Sequence, residues 1–547
     1  MASVRDDNLV VQTISGPVVG FLSTHRLSAQ SSVNAAPGDR APLRKWLGIP
    51  YGQAGRWERP RDPDAWTQSK ECFEFDSAFP QMPSPFDLLY KGKEGWPTRE
   101  FLGQGEDGFS LNVFSPPGEV KDLPVIVYLY GGNFNSGSSN FPVYDPSEFV
   151  RQQSAAGQPC IVVTGDYRVG IFGWLATEDL AEVNGHPGNY GLYDCIKILD
   201  WVQKNITAFG GNPQNVTVVG ESAGAYLISA LLNSGRKLFK RAVLQSGSHT
   251  VMAQRPGPFF PMYDRLLDTL GVYKSSTASE RVEDLKKVPW EKLLEASATL
   301  FFPGLWGLTS DPEEKGWDRH IWTKIDRGEY DPWIESAIIT INKDEGTFFS
   351  DRGRFWEDKN LMLALRGRGV FSPEMFPAFQ RLYPSAPLLP DKSNLPELGC
   401  TKFLHDQAIL TPLHHFATSL SRQAHPVTGN ALKVFVCQFE CMPRTLLEGY
   451  EHLGVVHTGE IPFIFNMASL WSYNEDDQDA KTADVVGTWW AAFAQRGDPG
   501  WQPYTVEQGQ AVVIGDGGEM SQINANELRP EYREFWYPLL RAQAESG

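Results

Sequence analysis

The sharpest chemical signal in this sequence of 547 residues is the pentapeptide GESAG at positions 220–224. It has the form G-x-S-x-G, with the strand-like residues 215–220 before it and the apolar helical run 225–232 after it. A tight turn from a strand into a helix strains the backbone of the serine and exposes its hydroxyl, which suits a nucleophile. Ser222 is therefore the candidate nucleophile, and the amide of Ala223 can donate to an oxyanion.

A serine hydroxyl is a weak acid, so it needs a nearby base, and the base needs an acid to orient it. His457, in the turn-like sequence HTGE, is the candidate base, whereas His452 lacks the Gly-Glu turn that follows His457. Asp344 and Glu345 are the candidate acids, and both follow the apolar strand-like run 336–342. The order serine, acid, histidine along the chain is the order expected of α/β-hydrolases.

A glycine-rich loop offers further donors for the developing negative charge. The sequence YGGNF (130–134) directly follows the strand-like run VIVYLY (125–130), and its exposed amides could meet the same oxyanion. Fixed backbone dipoles of this kind stabilise charge without help from a metal or an organic group. We therefore expect no cofactor and no metal site, and Cys437 and Cys441 have no second pair of ligands nearby.

The elements that must position these residues predict an α/β fold. Continuous apolar, β-branched runs at 125–130, 161–167 and 336–342 suit strands that are buried on both faces of a mostly parallel sheet. Residues 189–210 have the periodicity of a helix, and residues 10–23 have the pattern of a hairpin. The alternation predicts a mostly parallel central sheet flanked by helices.

The domain organisation is predicted to be one α/β domain over residues 1–547, because there is no internal repeat and no charged linker. The region from approximately 255 to 450 differs from the rest, with charged helical segments, aromatic clusters and proline-rich turns. We expect it to be a large, mostly helical insertion at the end of the sheet, where a lid or a pocket wall would lie.

The charge balance excludes one class of partner. The chain has 49 Lys+Arg against 66 Asp+Glu, a formal charge of −17, so a nucleic-acid partner is not expected. The segment KLFKR (237–241) is basic but too short to change this conclusion. No apolar run approaches 18 residues, so no transmembrane segment is expected. The first residues lack the apolar region of a signal peptide, so a cytoplasmic protein is predicted, with no sign of its oligomeric state.

Taken together, the motifs resemble those of the type-B carboxylesterase (cholinesterase-like) family, over most of the chain. The stretches that carry the resemblance are GIPYG (48–52), GEDGFSLNVFSP (105–116), YGGNFNSGS (130–138), DYRVGIFGWL (166–175), GNYGLYD (188–194), NITAFGGNPQNVTVVGESAGA (205–225), QSGS (245–248), DEGTFF (344–349) and HTGEIPFIF (457–465).

The resemblance implies an α/β-hydrolase fold and an enzyme that hydrolyses small-molecule carboxylic esters through an acyl-enzyme. By position it makes Ser222 the nucleophile, Glu345 the acid and His457 the base. The residues that it places around this triad are Gly132, Asn133 and Ala223, as donors of the oxyanion hole, and Glu221, as a buried helper.

Three positions depart from the pattern of many family members. Tyr130 stands where many members have a histidine, although a tyrosine is also seen in the family. Asn133 replaces a loop glycine, but asparagine tolerates positive φ and keeps its amide N–H, so the donor can survive. Secreted relatives join a cysteine near position 72 to one in an SEDC-like motif. Here Cys72 remains, but Gly108 occupies the second position, so that bridge cannot form, in agreement with a reducing compartment.

Other readings of the same residues remain open. An acyltransferase would form the same acyl-enzyme and pass it to an alcohol or an amine. A catalytically silent binding protein is disfavoured because all three triad positions are filled. The aromatic content favours an apolar or aromatic ester, and Phe348 and Phe349 either line an acyl pocket or fill the core.

Overall fold

A mixed sheet of 13 strands forms the centre of the part of the chain that the structure describes. The structure is a computed structural model. It describes residues 4–546 except 24–41, 84–102, 249–253, 256–259, 261, 275, 301–305, 312–313, 315–316, 318–319, 355, 358–359, 362–371 and 467–477. The strands are β1 (Val4–Gln12), β2 (Pro17–Ser23), β3 (Leu43–Pro50), β4 (Lys70–Glu71), β5 (Ser110–Ser115), β6 (Leu123–Leu129), β7 (Ile161–Gly165), β8 (Gly211–Glu221), β9 (Arg241–Gln245), β10 (Gln254–Arg255), β11 (Leu308–Thr309), β12 (Ser336–Asn342), β13 (Lys433–Phe439), β14 (Gln510–Ile514) and β15 (Met520–Asn524).

The strand order of the sheet is β1-β2-β3-β5-β7-β6-β8-β9-β12-β13-β14-β15, with β4 added beside β2, while β10 and β11 pair separately. The strands from β7 to β14 in this order run parallel, and antiparallel strands continue the sheet on both sides. All side chains of β7 and β12 are buried, as expected for parallel strands covered on both faces. The prediction of a mostly parallel central sheet flanked by helices is confirmed.

Helices connect and cover the strands. They are α1 (Ser147–Ala155), α2 (Gly170–Trp174), α3 (Glu178–Asn184), α4 (Tyr190–Asn205), α5 (Ala223–Leu231), α6 (Tyr263–Leu270), α7 (Ala278–Lys287), α8 (Trp290–Thr299), α9 (Ile321–Ile325), α10 (Gly346–Gly353), α11 (Phe376–Leu382), α12 (Gly399–His405), α13 (Thr411–Arg422), α14 (Arg444–Leu447), α15 (Ile461–Ile464), α16 (Gln478–Arg496) and α17 (Pro530–Ser546), and a π-helical segment, Asp406–Leu410, joins α12 to α13.

The helices α6 to α14 lie in the region 255–450. This region also contributes β12 and β13, which are neighbours in the parallel part of the sheet. The strand β13 is not predicted by its own sequence pattern, because its apolar run lies among segments that favour helix. The division of the chain into one domain with an inserted region stays a prediction.

The topology places the candidate residues at one edge of the sheet. The parallel strands β8, β9 and β12 are neighbours, and their carboxyl ends meet at the same edge. Ser222 follows β8 directly, and Glu345 lies three residues after the last residue of β12. In open α/β sheets, ligands bind at this edge, so it is where a functional site is expected.

Candidate active site

Ser222 lies in a sharp turn between β8 and α5. Its backbone has φ 53° and ψ −121°, a strained conformation for a residue with a side chain. The turn is tight: a Cβ atom added to Gly224 would lie 2.1 Å from the carbonyl oxygen of Leu129, and one added to Gly220 would lie 2.7 Å from the carbonyl carbon of Gly224. The two glycines therefore permit the close approach of α5 to the strands, and the serine retains 8% exposure.

The imidazole of His457 connects Ser222 to Glu345. Its Nε2 atom is 2.9 Å from Ser222 Oγ, and its Nδ1 atom is 2.5 Å from Glu345 Oε2. In a neutral ring with this arrangement, Nδ1–H donates to the carboxylate and Nε2 accepts from the serine hydroxyl. His457 and Glu345 are fully buried. With this arrangement, His457 Nε2 can take the proton from Ser222 Oγ as that oxygen attacks a carbonyl carbon, while Glu345 holds the ring.

The two candidate acids have different partners. Asp344 accepts a hydrogen bond from the backbone N–H of Val455 at 2.9 Å, which ties it to the segment leading to the histidine. Glu345 contacts the imidazole, and its other oxygen accepts from the hydroxyl of Ser246 at 2.6 Å and from the N–H of Asn342 at 2.7 Å. Glu345 is therefore the acid that can orient the base. The alternative base, His452, lies on a separate turn, Glu451–Leu453.

The loop after β6 brings backbone amides to the serine. A Cβ atom added to Gly131 would lie 2.9 Å from Cβ of Ser222, so the loop and the turn nearly touch. Gly132 and Asn133 both adopt positive φ, 115° and 56°. In the described part of the chain, the amides of Gly132, Asn133 and Ala223 have no hydrogen-bond acceptor. They are available to an oxyanion that forms on the attacked carbonyl group.

Two further buried glutamates surround the histidine. Glu221 Oε1 is 3.3 Å from His457 Nε2, on the side where the serine hydroxyl lies. Glu460 accepts hydrogen bonds from the side-chain amides of Gln245, at 3.0 Å, and Asn342, at 2.5 Å. Both carboxyl groups are almost completely buried.

These carboxyl groups set the electrostatics of the site. Burial disfavours the charged form of His457, but the Glu221 and Glu345 carboxyl groups outweigh it and raise the pKa of the imidazole to about 9. Burial raises the pKa of Glu221 well above its ordinary value, and His457 offsets part of this effect. Burial, together with the charge of Glu345, also raises the pKa of Glu460. The site therefore favours a positively charged imidazole, the form that appears when His457 takes the serine proton.

Aromatic rings border the candidate triad. The ring of Phe349 is 5.1 Å from that of His457, and Phe349 is partly exposed, whereas Phe348 is buried in the core. The ring of Phe134 is nearly parallel to that of Tyr226 at 6.1 Å, and these residues adjoin the glycine-rich loop and the first turn of α5. Of the two phenylalanines that the sequence leaves undecided, Phe349 is the one that can contact a substrate.

The described residues contain neither a disulfide nor a cluster of side chains suited to a metal ion. All six cysteines are described, and all are buried and unbridged, including Cys72 and the pair Cys437 and Cys441. Across the described ranges, no group of three or more His, Cys, Asp or Glu side chains is arranged to hold a metal ion. Likewise, none of the described helices has the combined length and apolar character that crossing a bilayer requires. The cellular compartment stays a prediction.

Three residues of the site are not identified by local sequence reasoning. Gly131 is needed for close approach, Ser246 holds the acid, and Glu460 adds a buried carboxyl group. Weak signals exist for each: the adjacent glycines in YGGNF, the motif QSGS, and a glutamate three residues after the candidate base. Their functions depend on contacts between separate strand ends, which no local pattern encodes.

The sequence is similar to known proteins over almost its full length. A sequence model described as the carboxylesterase family matches residues 9–536, a range that includes every residue of the candidate site. An acetylcholinesterase of Danio rerio is 28% identical over 517 residues, and the match covers 84% of this chain and 77% of the relative.

Proposed function

The chain belongs to the carboxylesterase family, as its motifs predict, and we propose that it is a serine esterase acting through an acyl-enzyme. The family and the cholinesterase relative support an ester-hydrolysing enzyme. The observation that carries the finer proposal is the pair of hydrogen bonds that links Ser222 Oγ to His457 Nε2 and His457 Nδ1 to Glu345.

In the first half of the reaction, Ser222 Oγ attacks the carbonyl carbon of the ester while its proton passes to His457 Nε2. The carbonyl oxygen becomes an oxyanion and accepts hydrogen bonds from the amides of Gly132, Asn133 and Ala223. His457 then gives the proton to the leaving alcohol, and the acyl group remains bonded to the serine oxygen.

In the second half, water replaces the alcohol. His457 removes a proton from the water, the hydroxide attacks the acyl carbon, and the carboxylic acid leaves as Ser222 recovers its proton. Glu345 holds the ring in the tautomer that both halves require, and it stabilises the imidazolium. Glu221, 3.3 Å from Nε2, favours the same cation.

The proposed substrate is a small ester with an apolar or aromatic part. The support for this class is the partly exposed ring of Phe349 beside His457 and the partly exposed ring of Tyr226 in the first turn of α5. Rings in these positions favour contact with apolar groups over contact with charged ones.

A panel of p-nitrophenyl esters of increasing acyl length tests the proposal. We expect the wild-type protein to release p-nitrophenol, and we expect Ser222→Ala to lower kcat/KM by about 10⁴-fold or more. Ser393→Ala, which removes an exposed hydroxyl from a loop, is the matched control and should retain wild-type rates. Thermal unfolding establishes that both variants are folded. Undiminished hydrolysis by Ser222→Ala would refute the assignment.

A further inference from the structure

The basic segment KLFKR (237–241) lines a cavity at the far edge of the sheet from the candidate active site. The cavity has a volume of about 330 Å³, and its walls include Lys237, Phe239 and Lys240 from this segment and Trp333 and Glu335 from the segment before β12. Sites for small molecules have volumes of roughly 300–1,000 Å³, so the cavity can hold a compact ligand.

The cavity lies at the amino ends of the strands whose carboxyl ends carry the candidate catalytic residues. Lys240 directly precedes β9, and Glu335 directly precedes β12. The N–H of Lys240 donates to the carbonyl of Val216 in β8, and the N–H of Glu335 donates to the carbonyl of Lys240. A strand rises about 3.3 Å per residue, so the seven residues of β12 separate the two sites by roughly 20 Å.

The walls of the cavity are held in place by the surrounding structure. Phe239 is buried in the hydrophobic core around the sheet, and Trp333 packs against that core while remaining partly exposed. Gln203 donates its two amide protons to the carbonyl groups of Pro213 and Leu238, at 2.8 and 2.7 Å. A ligand would therefore meet a largely preformed site with an aromatic wall, which reduces the entropy lost on binding.

The walls of the cavity carry two lysines, Lys237 and Lys240, and one carboxylate, that of Glu335, so their formal charge is positive. Glu335 is 3.5 Å from Lys240 Nζ and 3.3 Å from Arg241 Nη2, so its carboxylate is already neutralised. Lys237, which is exposed, has no ion-pair partner among the described residues. A net positive site is unusual in a chain of formal charge −17, and it favours an anion.

We propose that this cavity is a second ligand site, which binds a small aromatic carboxylate with its ring at Trp333 and its carboxylate at Lys237. The ligand carboxylate would pair with the ammonium group of Lys237, which has no ion-pair partner among the described residues, whereas Lys240 is already paired with Glu335. The aromatic and proline side chains of the walls select a flat apolar body rather than an inorganic ion.

Isothermal titration with sodium 2-naphthoate tests this site. We expect saturable binding to the wild-type protein, and much weaker binding of the uncharged analogue 2-naphthamide. Lys237→Gln should weaken naphthoate binding by about tenfold, because it removes a hydrogen bond to a charged group. Trp333→Leu should weaken the binding of both compounds. A salt concentration of 0.5 M should weaken the binding of naphthoate more than that of the uncharged naphthamide, since salt screens charges at a partly open site.

The matched control is Lys292→Gln, which removes one exposed positive charge from α8, away from the cavity. It should bind naphthoate as the wild-type protein does. Ester hydrolysis should be unchanged in Lys237→Gln and Lys292→Gln, which shows that both are folded and that the site is separate from the triad. Absence of saturable binding, or equal naphthoate affinity in the wild-type protein and Lys237→Gln, would overturn the proposal.

Discussion

At the scale of single residues, the imidazole of His457 is unusual because three buried carboxyl groups surround it. Glu345 accepts the bond from Nδ1, Glu221 faces Nε2, and Glu460 lies within the same buried network. A buried imidazole alone would have a lowered pKa, since burial disfavours its charged form. The raised pKa of His457 therefore reports the carboxyl groups, and it means that the free base forms only as the pH rises.

The first prediction concerns the pH dependence of ester hydrolysis. A general base must be unprotonated before it acts, so kcat/KM should rise with pH along a limb set by the pKa of His457, about 9. Glu221→Gln removes a carboxyl group that raises this pKa, so the limb should move to lower pH by about one unit. Glu291→Gln, on the exposed face of α8, is the control and should leave the limb in place. An unchanged limb in Glu221→Gln would contradict the assigned effect of that carboxyl group.

Single residues of the site differ in how far the sequence predicts them. Local motifs and their order identify Ser222 and His457, and the family resemblance selects Glu345 over Asp344 as the acid. The structure brings the three side chains of this candidate triad into contact. Ser246 and Glu460 carry only weak signals, because their partners Glu345 and Gln245 lie far from them in the sequence.

At the scale of elements, the turn from β8 into α5 determines where the nucleophile lies. The backbone of Gly224 passes so close to β6 that there is no room for a Cβ atom. Alanine is intrinsically better than glycine in a helix, so propensity alone would predict that Gly224→Ala stabilises α5. The clash with the carbonyl groups of Leu129 and Tyr130 opposes this gain.

The second prediction is that Gly224→Ala lowers the free energy of unfolding by about 1–3 kcal/mol, because the overpacked contact forces α5 away from the sheet. The same displacement should lower kcat for ester hydrolysis. Gly105→Ala is the control, since a Cβ atom there meets nothing within 4 Å. Urea titration measures both variants, and a Gly224→Ala protein as stable and active as the wild type would show that the contact can relax.

Elements also show why part of the fold escapes prediction. The strands β6, β7 and β12 can be predicted from their continuous apolar runs, because strands buried on both faces need no polar positions. The strand β3 cannot be predicted in this way, since Arg44 and Lys45 interrupt its apolar pattern. The structure buries Lys45 within 3.8 Å of Asp145, a partner a hundred residues away that no local pattern can supply. Here a tertiary ion pair permits a strand that the local sequence pattern does not predict.

At the scale of the whole molecule, a hydrophobic cluster separate from the main core packs the C-terminal helix α17 against helices of the region 255–450. Its buried members include Trp322, Phe379, Phe403 and Trp536. A buried polar network lies beside it. Arg529 makes two hydrogen bonds to the fully buried Asp406, at 2.6 and 2.7 Å, and Tyr383 donates to the same carboxylate. Trp536 of α17 donates in turn to the hydroxyl of Tyr383.

The third prediction is that Arg529→Met lowers the free energy of unfolding by about 3–5 kcal/mol, because it leaves the Asp406 carboxylate buried without its cation. The control is Arg61→Met, which breaks the exposed pair with Asp64 and should cost at most about 1 kcal/mol. Urea unfolding followed by tryptophan fluorescence compares the two. Equal losses would mean that the Asp406 network adds no more to stability than a surface ion pair.

The reaction of the whole protein with a fluorophosphonate probe, read out by peptide mass spectrometry, tests the central claim most directly. The candidate triad should activate Ser222 alone, so the native protein should carry one adduct, on the peptide that contains this residue. Protein unfolded in urea before the probe is added should carry none. A native protein without an adduct, or with adducts on other serines, would contradict the proposal that Ser222, His457 and Glu345 form a working nucleophilic site.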